Sequence, residues 1–256
     1  MTERHEIMYR FFEEAEAATG NSLISKLSDI LDVGDRGARV PCYMMCYSSN
    51  LPNLRGVLGP DYTFHSWPSA NIPSFQEEVK KILAAGEFPA IKNKLGWYGN
   101  VNSPLGDVIE SKTRPFLALI GSTNKDIMDI VDVRVPQSMT TGYLSLEDLV
   151  KTYSFLLDIG GNGYSGRLKY LLFSNRPLLL VDREYIEYFH ADLQPYVHYI
   201  PVAVNLSNFL EQYEWARNHL EECSRIAANA REFAIDHFSQ KKLYQKISEV
   251  AETIFG

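Results

Sequence analysis

Near the middle of the chain, Gly161-Asn-Gly163-Tyr-Ser-Gly166 sets three glycines at the spacing G-x-G-x-x-G, and Arg167 and Lys169 follow closely. Glycine lets the backbone come close to a ligand, and the first turn of a helix offers unpaired N–H groups with a partial positive charge. Arg167 adds a planar fork of donors that matches phosphate oxygens. Asp158 closes the apolar run before the turn, and Tyr164 and Ser165 lie within it. Together they point to an anion site at the carboxyl end of a parallel strand, where open α/β sheets take their ligands. Read alone, the motif suits two chemistries. One is an NAD-dependent oxidoreductase, with Asp182 ending the next strand where a ribose-binding acid belongs. The other is a nucleotide-sugar site. Backbone amides that hold a pyrophosphate by themselves have no need of Arg167 and Lys169, and the mostly helical remainder leaves little room for a six-stranded double unit.

The elements that position this turn follow from periodicity. Leu146–Tyr153, opened by Ser145, reads as a helix, Ser154–Asp158 as a strand, Arg167–Phe173 as a helix and Pro177–Asp182 as a strand. A helical piece then reaches His190, Val197–Val202 reads as a strand, and the chain from Leu206 onward is almost all helix. Upstream, Ile7, Met8, Phe11, Phe12 and Ala15 mark a helix ending near Gly20, and Leu23–Leu31 continues helical. Val40–Tyr47 reads as one buried strand. Residues 59–74 form an aromatic loop, and Ser74-Phe-Gln-Glu77 resembles a capping box opening a helix through Leu83. Leu95–Asn100, Phe116–Ile120 and Asp129–Val135 read as strands. The turn-rich stretch Pro136–Gly142 is the best place to divide the chain, into 1–136 and 137–256. Alternating strands and helices imply an α/β fold with a parallel sheet covered on both faces.

Composition narrows the function further. The net charge of −7 comes without any basic run, which argues against nucleic-acid binding. Three cysteines cannot build a disulfide framework, and they read as buried free thiols. The start Met1-Thr-Glu-Arg-His-Glu6 lacks the apolar core of a signal peptide, and the apolar stretches near Leu171 and Leu178 are too short to span a bilayer. The expected location is therefore the cytoplasm, with no membrane span.

The run Tyr153-Ser-Phe-Leu-Leu-Asp-Ile-Gly-Gly-Asn-Gly-Tyr-Ser-Gly-Arg-Leu-Lys-Tyr-Leu-Leu172 resembles the donor-site signature of glycosyltransferase family 90, which includes capsule-associated proteins, lipopolysaccharide core transferases and protein O-glucosyltransferases. The likeness continues through Arg183–Phe189, Leu193–Val202, Asn205–Asn208 and Ala227–Phe233. Upstream, Trp97-Tyr-Gly-Asn100 and Arg114-Pro115 are similar to the family's aromatic-Arg-Gly segment and a later arginine, with Tyr98 standing where the family usually has an arginine. The resemblance implies a GT-B-like architecture, with two Rossmann-like domains facing across a cleft and C-terminal helices packing back. It places the acceptor side in 1–136 and the nucleotide-sugar in 137–256. It also implies inverting, metal-independent transfer of xylose or glucose from a UDP-sugar to a glycan or protein hydroxyl, with no cofactor; the lack of a secretory leader at the start of the sequence makes a bacterial or viral cytosolic enzyme the expectation.

On the donor side the resemblance points to Tyr98, Gly99, Arg114, Asp158, Gly161, Gly163, Tyr164, Ser165, Gly166 and Arg167. In such an enzyme arginines and helix amides offset the developing diphosphate charge. A carboxylate ahead of the Val40 segment acts as the general base, which places the role on Asp29, with Asp32 and Asp35 as neighbouring alternatives. Asp61, His65 and Trp67, in the aromatic loop, are acceptor-side candidates. A catalytically silent, glycan-binding relative is the remaining alternative.

Overall fold

The computed structural model describes residues 2–34, 42–49, 57–102, 109–134, 142–161 and 163–256. Asp35, Val40, Asn162 and most of the turn-rich stretch Pro136–Gly142 lie outside them. The chain forms two compact units. One comprises Met1–Glu78, Glu184–Asp192 and Ile235–Gly256, the other Val79–Arg183 and Leu193–Ala234. The contacts thus divide the chain differently from a single cut at residue 136.

In the first unit, α1 (Glu3–Thr19) ends at Gly20, whose φ of 71° is the left-handed conformation that glycine adopts without strain. Its stripe of Ile7, Met8, Phe11, Phe12 and Ala15 is buried, and it packs against α8 (Gln240–Phe255). The hydroxyl of Tyr244 on α8 donates to Glu14 on α1 at 2.8 Å. The stretch Ile24–Ile30 is 3-10 helix. The apolar run expected as one strand is two: β2 (Tyr43–Met44) pairs in parallel with β1 (Leu31–Asp32), while β3 (Tyr47–Ser48) pairs antiparallel with β8 (Tyr185–Ile186). The run breaks because its halves serve different partners. The same pairing explains why the stretch up to His190 is not helical; it holds β8, then a 3-10 turn at His190–Asp192. Phe64, Phe75, Tyr188, Phe189 and Phe238 form an aromatic cluster with ring centroids 4.9–6.3 Å apart.

The second unit is built on five strands: β4 (Lys92–Gly99), β5 (Met128–Asp132), β6 (Tyr153–Asp158), β7 (Leu178–Val181) and β9 (Ile200–Val202). All pair in parallel, in the order β5-β4-β6-β7-β9. The runs Phe155–Asp158 and Leu178–Val181 are buried on both faces, as covered parallel strands require. Helices α2 (Phe75–Gly86), α3 (Ile109–Thr123), α4 (Leu146–Thr152), α5 (Leu168–Leu172), α6 (Phe209–Asn218) and α7 (Leu220–His237) complete the order. Ser145 caps α4, its hydroxyl accepting the Asp148 N–H at 3.1 Å, and Ser74 takes the Glu77 N–H at the start of α2.

Residues 116–120, expected as a strand, belong to α3. Phe116 and Leu119 are exposed while Leu117 is fully buried, and a Cβ at Gly121 would meet Ile130 of β5 at 2.5 Å. That is one helical face on a sheet, with no alternation by twos. Pro115 costs the helix one backbone bond, yet its neighbours anchor the turn: Thr113 donates to the Val204 carbonyl at 2.9 Å and Arg114 to three further carbonyls. The three cysteines are free and buried, as expected. Among the described residues no helix is long and apolar enough to cross a membrane.

Candidate donor site

In the sheet order, the chain leaves β4 toward β5 on one side and returns past β4 to β6 on the other. The carboxyl ends of β4 and β6 are therefore a topological switch point, where α/β sheets open a crevice for ligands. The sequence places Tyr98 and Gly99 at the first end and Asp158 with its glycine turn at the second.

Asp158 is fully buried and is the centre of a polar knot. Its Oδ1 accepts from the Ser165 hydroxyl at 2.8 Å and from Arg167 Nε at 3.3 Å, and its Oδ2 accepts from Arg183 Nη2 at 2.8 Å. Burial on its own would raise the carboxyl pKa. The charges of Arg183 and then Arg167, with hydrogen bonds from Ser165 and Arg183, outweigh it and hold Asp158 below the usual carboxylate range. Asp158 is thus a structural anion in this arrangement, and Ser165 spends its hydroxyl on it.

Arg167 also donates from Nη1 to the Tyr98 carbonyl at 2.6 Å, tying β6 to β4. Arg114, reaching in from α3, donates to the carbonyls of Asn100 (2.9 Å), Ile159 (3.1 Å) and Gly160 (2.8 Å). Both guanidinium groups lie over the ring of Trp97, at 5.6 Å for Arg114 and 5.5 Å for Arg167. Two glycines make this fit. A Cβ on Gly99 would sit 2.5 Å from the buried Trp97 ring, and one on Gly161 would sit 3.0 Å from Arg114 Nη2. In the turn itself Gly161 N–H donates to the Gly163 carbonyl at 3.3 Å, Gly163 and Tyr164 are buried, and Gly166 is half-buried.

The helix behind the turn departs from expectation. Arg167 caps α5, which runs for only five residues, so its dipole adds little; fixed positive charges dominate the site. Tyr98 contributes its backbone carbonyl, but its hydroxyl meets Tyr153 at 2.9 Å, and Tyr153 in turn donates to Asp129 at 2.8 Å. Sequence reasoning missed Trp97 and Arg183 as parts of the site. A charged Asp-Arg pair directly after the apolar run Leu178–Val181 was the available signal for Arg183. Asp182, the ribose-binding acid of the oxidoreductase reading, is exposed and accepts the Arg183 backbone N–H at 2.9 Å.

The other candidates lie in the first unit. Asp61 is buried and caps a 3-10 turn, accepting from Thr63 N and Thr63 Oγ1, both at 2.6 Å. His65 Nε2 lies 3.5 Å from Glu14 and its Nδ1 lies 3.1 Å from Ser66 Oγ; with Arg10 and Asn71 it lines a cavity of about 500 Å³. Half-buried Trp67 bridges to Ile72 beside it. Asp29 is exposed on the 3-10 segment, and Asp32 accepts the Gly34 N–H at 2.9 Å.

Residues 32–252 match the profile of Glycosyl transferase family 90. Protein O-glucosyltransferase 2 of Danio rerio is 36% identical over 118 residues, 43% of this chain and 23% of the relative. Protein O-glucosyltransferase 3 of Rattus norvegicus is 29% identical over 137 residues, 54% of this chain and 26% of the relative. Protein O-glucosyltransferase 1 of Homo sapiens is 32% identical over 85 residues, 33% of this chain and 22% of the relative. The matched segments thus span about a quarter of the length of these relatives.

Proposed function

The chain belongs to glycosyl transferase family 90, and from that premise we propose that it transfers a sugar from a UDP-sugar to a hydroxyl of a protein or glycan. Glucose is favoured over xylose, and a protein acceptor over a free glycan, by the relatives' names. The observation that carries the reading is the pairing of Arg167 and Arg183 with one carboxylate, Asp158, together with Arg114 held on the Gly160 carbonyl of the adjoining turn, at the carboxyl ends of β4, β6 and β7. Such a cluster suits a diphosphate, and family membership favours a sugar nucleotide over NAD.

The chemistry that follows is a single displacement. The acceptor oxygen bonds to the anomeric carbon while the bond from that carbon to the diphosphate oxygen breaks, which inverts the anomeric centre. The acceptor proton passes to a carboxylate, for which Asp29 is the first candidate, with Asp32 and Asp35 beside it in sequence. Arg114 and Arg167 offset the charge that builds on the leaving diphosphate, the work a metal ion does elsewhere, so the proposed reaction is metal-independent. A GT-B-like architecture goes with this reading.

A panel of UDP-sugars, scored for thermal shift and for slow hydrolysis with and without a chelator, tests it. UDP and one UDP-sugar should raise the melting temperature, and hydrolysis should survive the chelator. Unchanged melting across the panel would overturn the donor assignment, and loss of hydrolysis with the chelator would overturn metal independence.

A further inference from the structure

The knot at the switch point has an unbalanced charge. Arg167 and Arg183 carry two positive charges, and both form their ion pair with the same carboxylate, Asp158. Asp158 and Arg183 are shut away, with side-chain exposures of 0% and 2%, while Arg167 retains 16%. The partition of the carboxylate is uneven too. Arg183 holds Oδ2 at 2.8 Å, whereas Arg167 meets Oδ1 only through Nε at 3.3 Å, sharing that oxygen with Ser165. Arg183 turns Nε and Nη2 toward the Val181 carbonyl at 3.4 and 3.3 Å, and its buried Nη1 has no hydrogen-bond partner. Arg167 also donates from Nη1 to the Tyr98 carbonyl, a neutral acceptor.

Resting on the donor reading above, we infer that Arg183 is a positioning residue. By claiming one oxygen of Asp158 it keeps that carboxylate from neutralising Arg167, and the surplus charge so created draws the diphosphate of a sugar nucleotide to Arg167. Arg183 itself need not touch the ligand. Were it absent, Asp158 and Arg167 would form a closed, neutral pair, and Arg167 would lose most of its pull on an anion. Charge at short range in a shielded site is strong enough for this to register in affinity.

Calorimetric titration with UDP, and with neutral uridine as a control, separates charge from shape. Arg183→Gln should weaken UDP on the order of 10- to 100-fold while moving uridine by about twofold at most. The double variant Asp158→Asn/Arg183→Gln removes one charge of each sign, restores the net charge of the knot through Arg167 alone, and should recover UDP affinity to within about threefold of wild type. Arg183→Lys keeps the charge without the fork and should also bind UDP almost normally. A purely structural role predicts the reverse, because the double variant removes more of the knot than either single change. UDP affinity unchanged in Arg183→Gln, or a double variant no better than Arg183→Gln, overturns the inference while leaving the donor reading in place. If Arg183→Gln does not fold, the double variant and Arg183→Lys decide, and loss of UDP binding in both overturns it. A wild-type chain that fails to bind UDP overturns the donor reading itself and this inference with it.

Discussion

Trp97 is the residue whose replacement most directly tests how the candidate donor site is held. It is fully buried at the end of β4, and the guanidinium groups of Arg114 and Arg167 both lie over its ring. Replacing it with leucine removes most of an indole from a packed core. Full truncation of a buried tryptophan costs about 3–5 kcal/mol, and leucine fills roughly half of that volume, leaving about 2–3 kcal/mol. Loss of two cation–π contacts adds about 1–2 kcal/mol. One contribution runs the other way: Trp97 Nε1 is buried without a hydrogen-bond partner, and removing it returns about 1 kcal/mol. The expected net loss for Trp97→Leu is therefore about 3 kcal/mol. Trp97→Phe keeps an aromatic face and should lose about half as much. Urea unfolding followed by far-UV circular dichroism measures both, provided the slope with denaturant is unchanged. A loss below about 1 kcal/mol for Trp97→Leu would refute the claim that the indole is the platform for the two arginines. Equal losses for leucine and phenylalanine would refute the cation–π share of it.

Three further outcomes follow from the same geometry. Gly99→Ala drives a methyl into the Trp97 ring, so it should cost about 1–3 kcal/mol and lower the melting temperature, and Trp97→Leu in the same chain should relieve part of that cost. Asp158→Asn leaves Arg183 buried without its charge partner and should cost about 3–5 kcal/mol at neutral pH. Because the folded carboxyl titrates below its unfolded value, that stabilisation is present above about pH 4 and fades as the pH falls through the folded pKa; stability curves of the two proteins should converge in acid. Tyr153→Phe removes the hydroxyl between Tyr98 and Asp129 and should cost about 1–2 kcal/mol. It should also let the Asp129 pKa rise: burial pushes that carboxyl up, and the Lys92 and Tyr153 hydrogen bonds, with the Lys92 and Lys94 charges, hold it down, a balance that carbon-13 NMR titration can follow.

What the sequence disclosed depended on range. Helix α1 with its glycine stop, the serine caps at Ser74 and Ser145, and the apolar runs of β6 and β7 are set by neighbouring residues, and their periodicity is plain. The glycine turn was legible because its spacing, the preceding strand and Arg167 lie within one short stretch. Residues 116–120 misled because five apolar residues in a row satisfy either period; only the β5 surface under Leu117 and Gly121 decides for a helix. The first unit could not be foreseen at all, since it gathers segments from both ends of the chain and from 184–192, joined by pairings such as Tyr47 with Ile186. The site was half visible for the same reason. Arg167 sits beside the turn it serves, but the ties from Asp158 to Arg183 and from Arg114 to Gly160 connect residues 25 and 46 positions apart.

The partners chosen for these arginines bear on how the site works. Arg114 donates to three backbone carbonyls and Arg167 to one, and a carbonyl fixes a guanidinium in place without cancelling its charge. The carboxylate in the knot cannot do that, which is why its division between two arginines matters. Under the proposed function, guanidinium groups oriented by carbonyls meet the donor's diphosphate with little rearrangement left for the moment of transfer. The same hold on the arginines also explains the glycines on either side. The carbonyls that grip Arg114 belong to the backbone of β4 and of the turn after β6, and that backbone must come close to the guanidinium at Gly161 and leave room for the indole at Gly99. The glycine spacing first read as a cradle for phosphate therefore serves the arginines at least as much as any ligand.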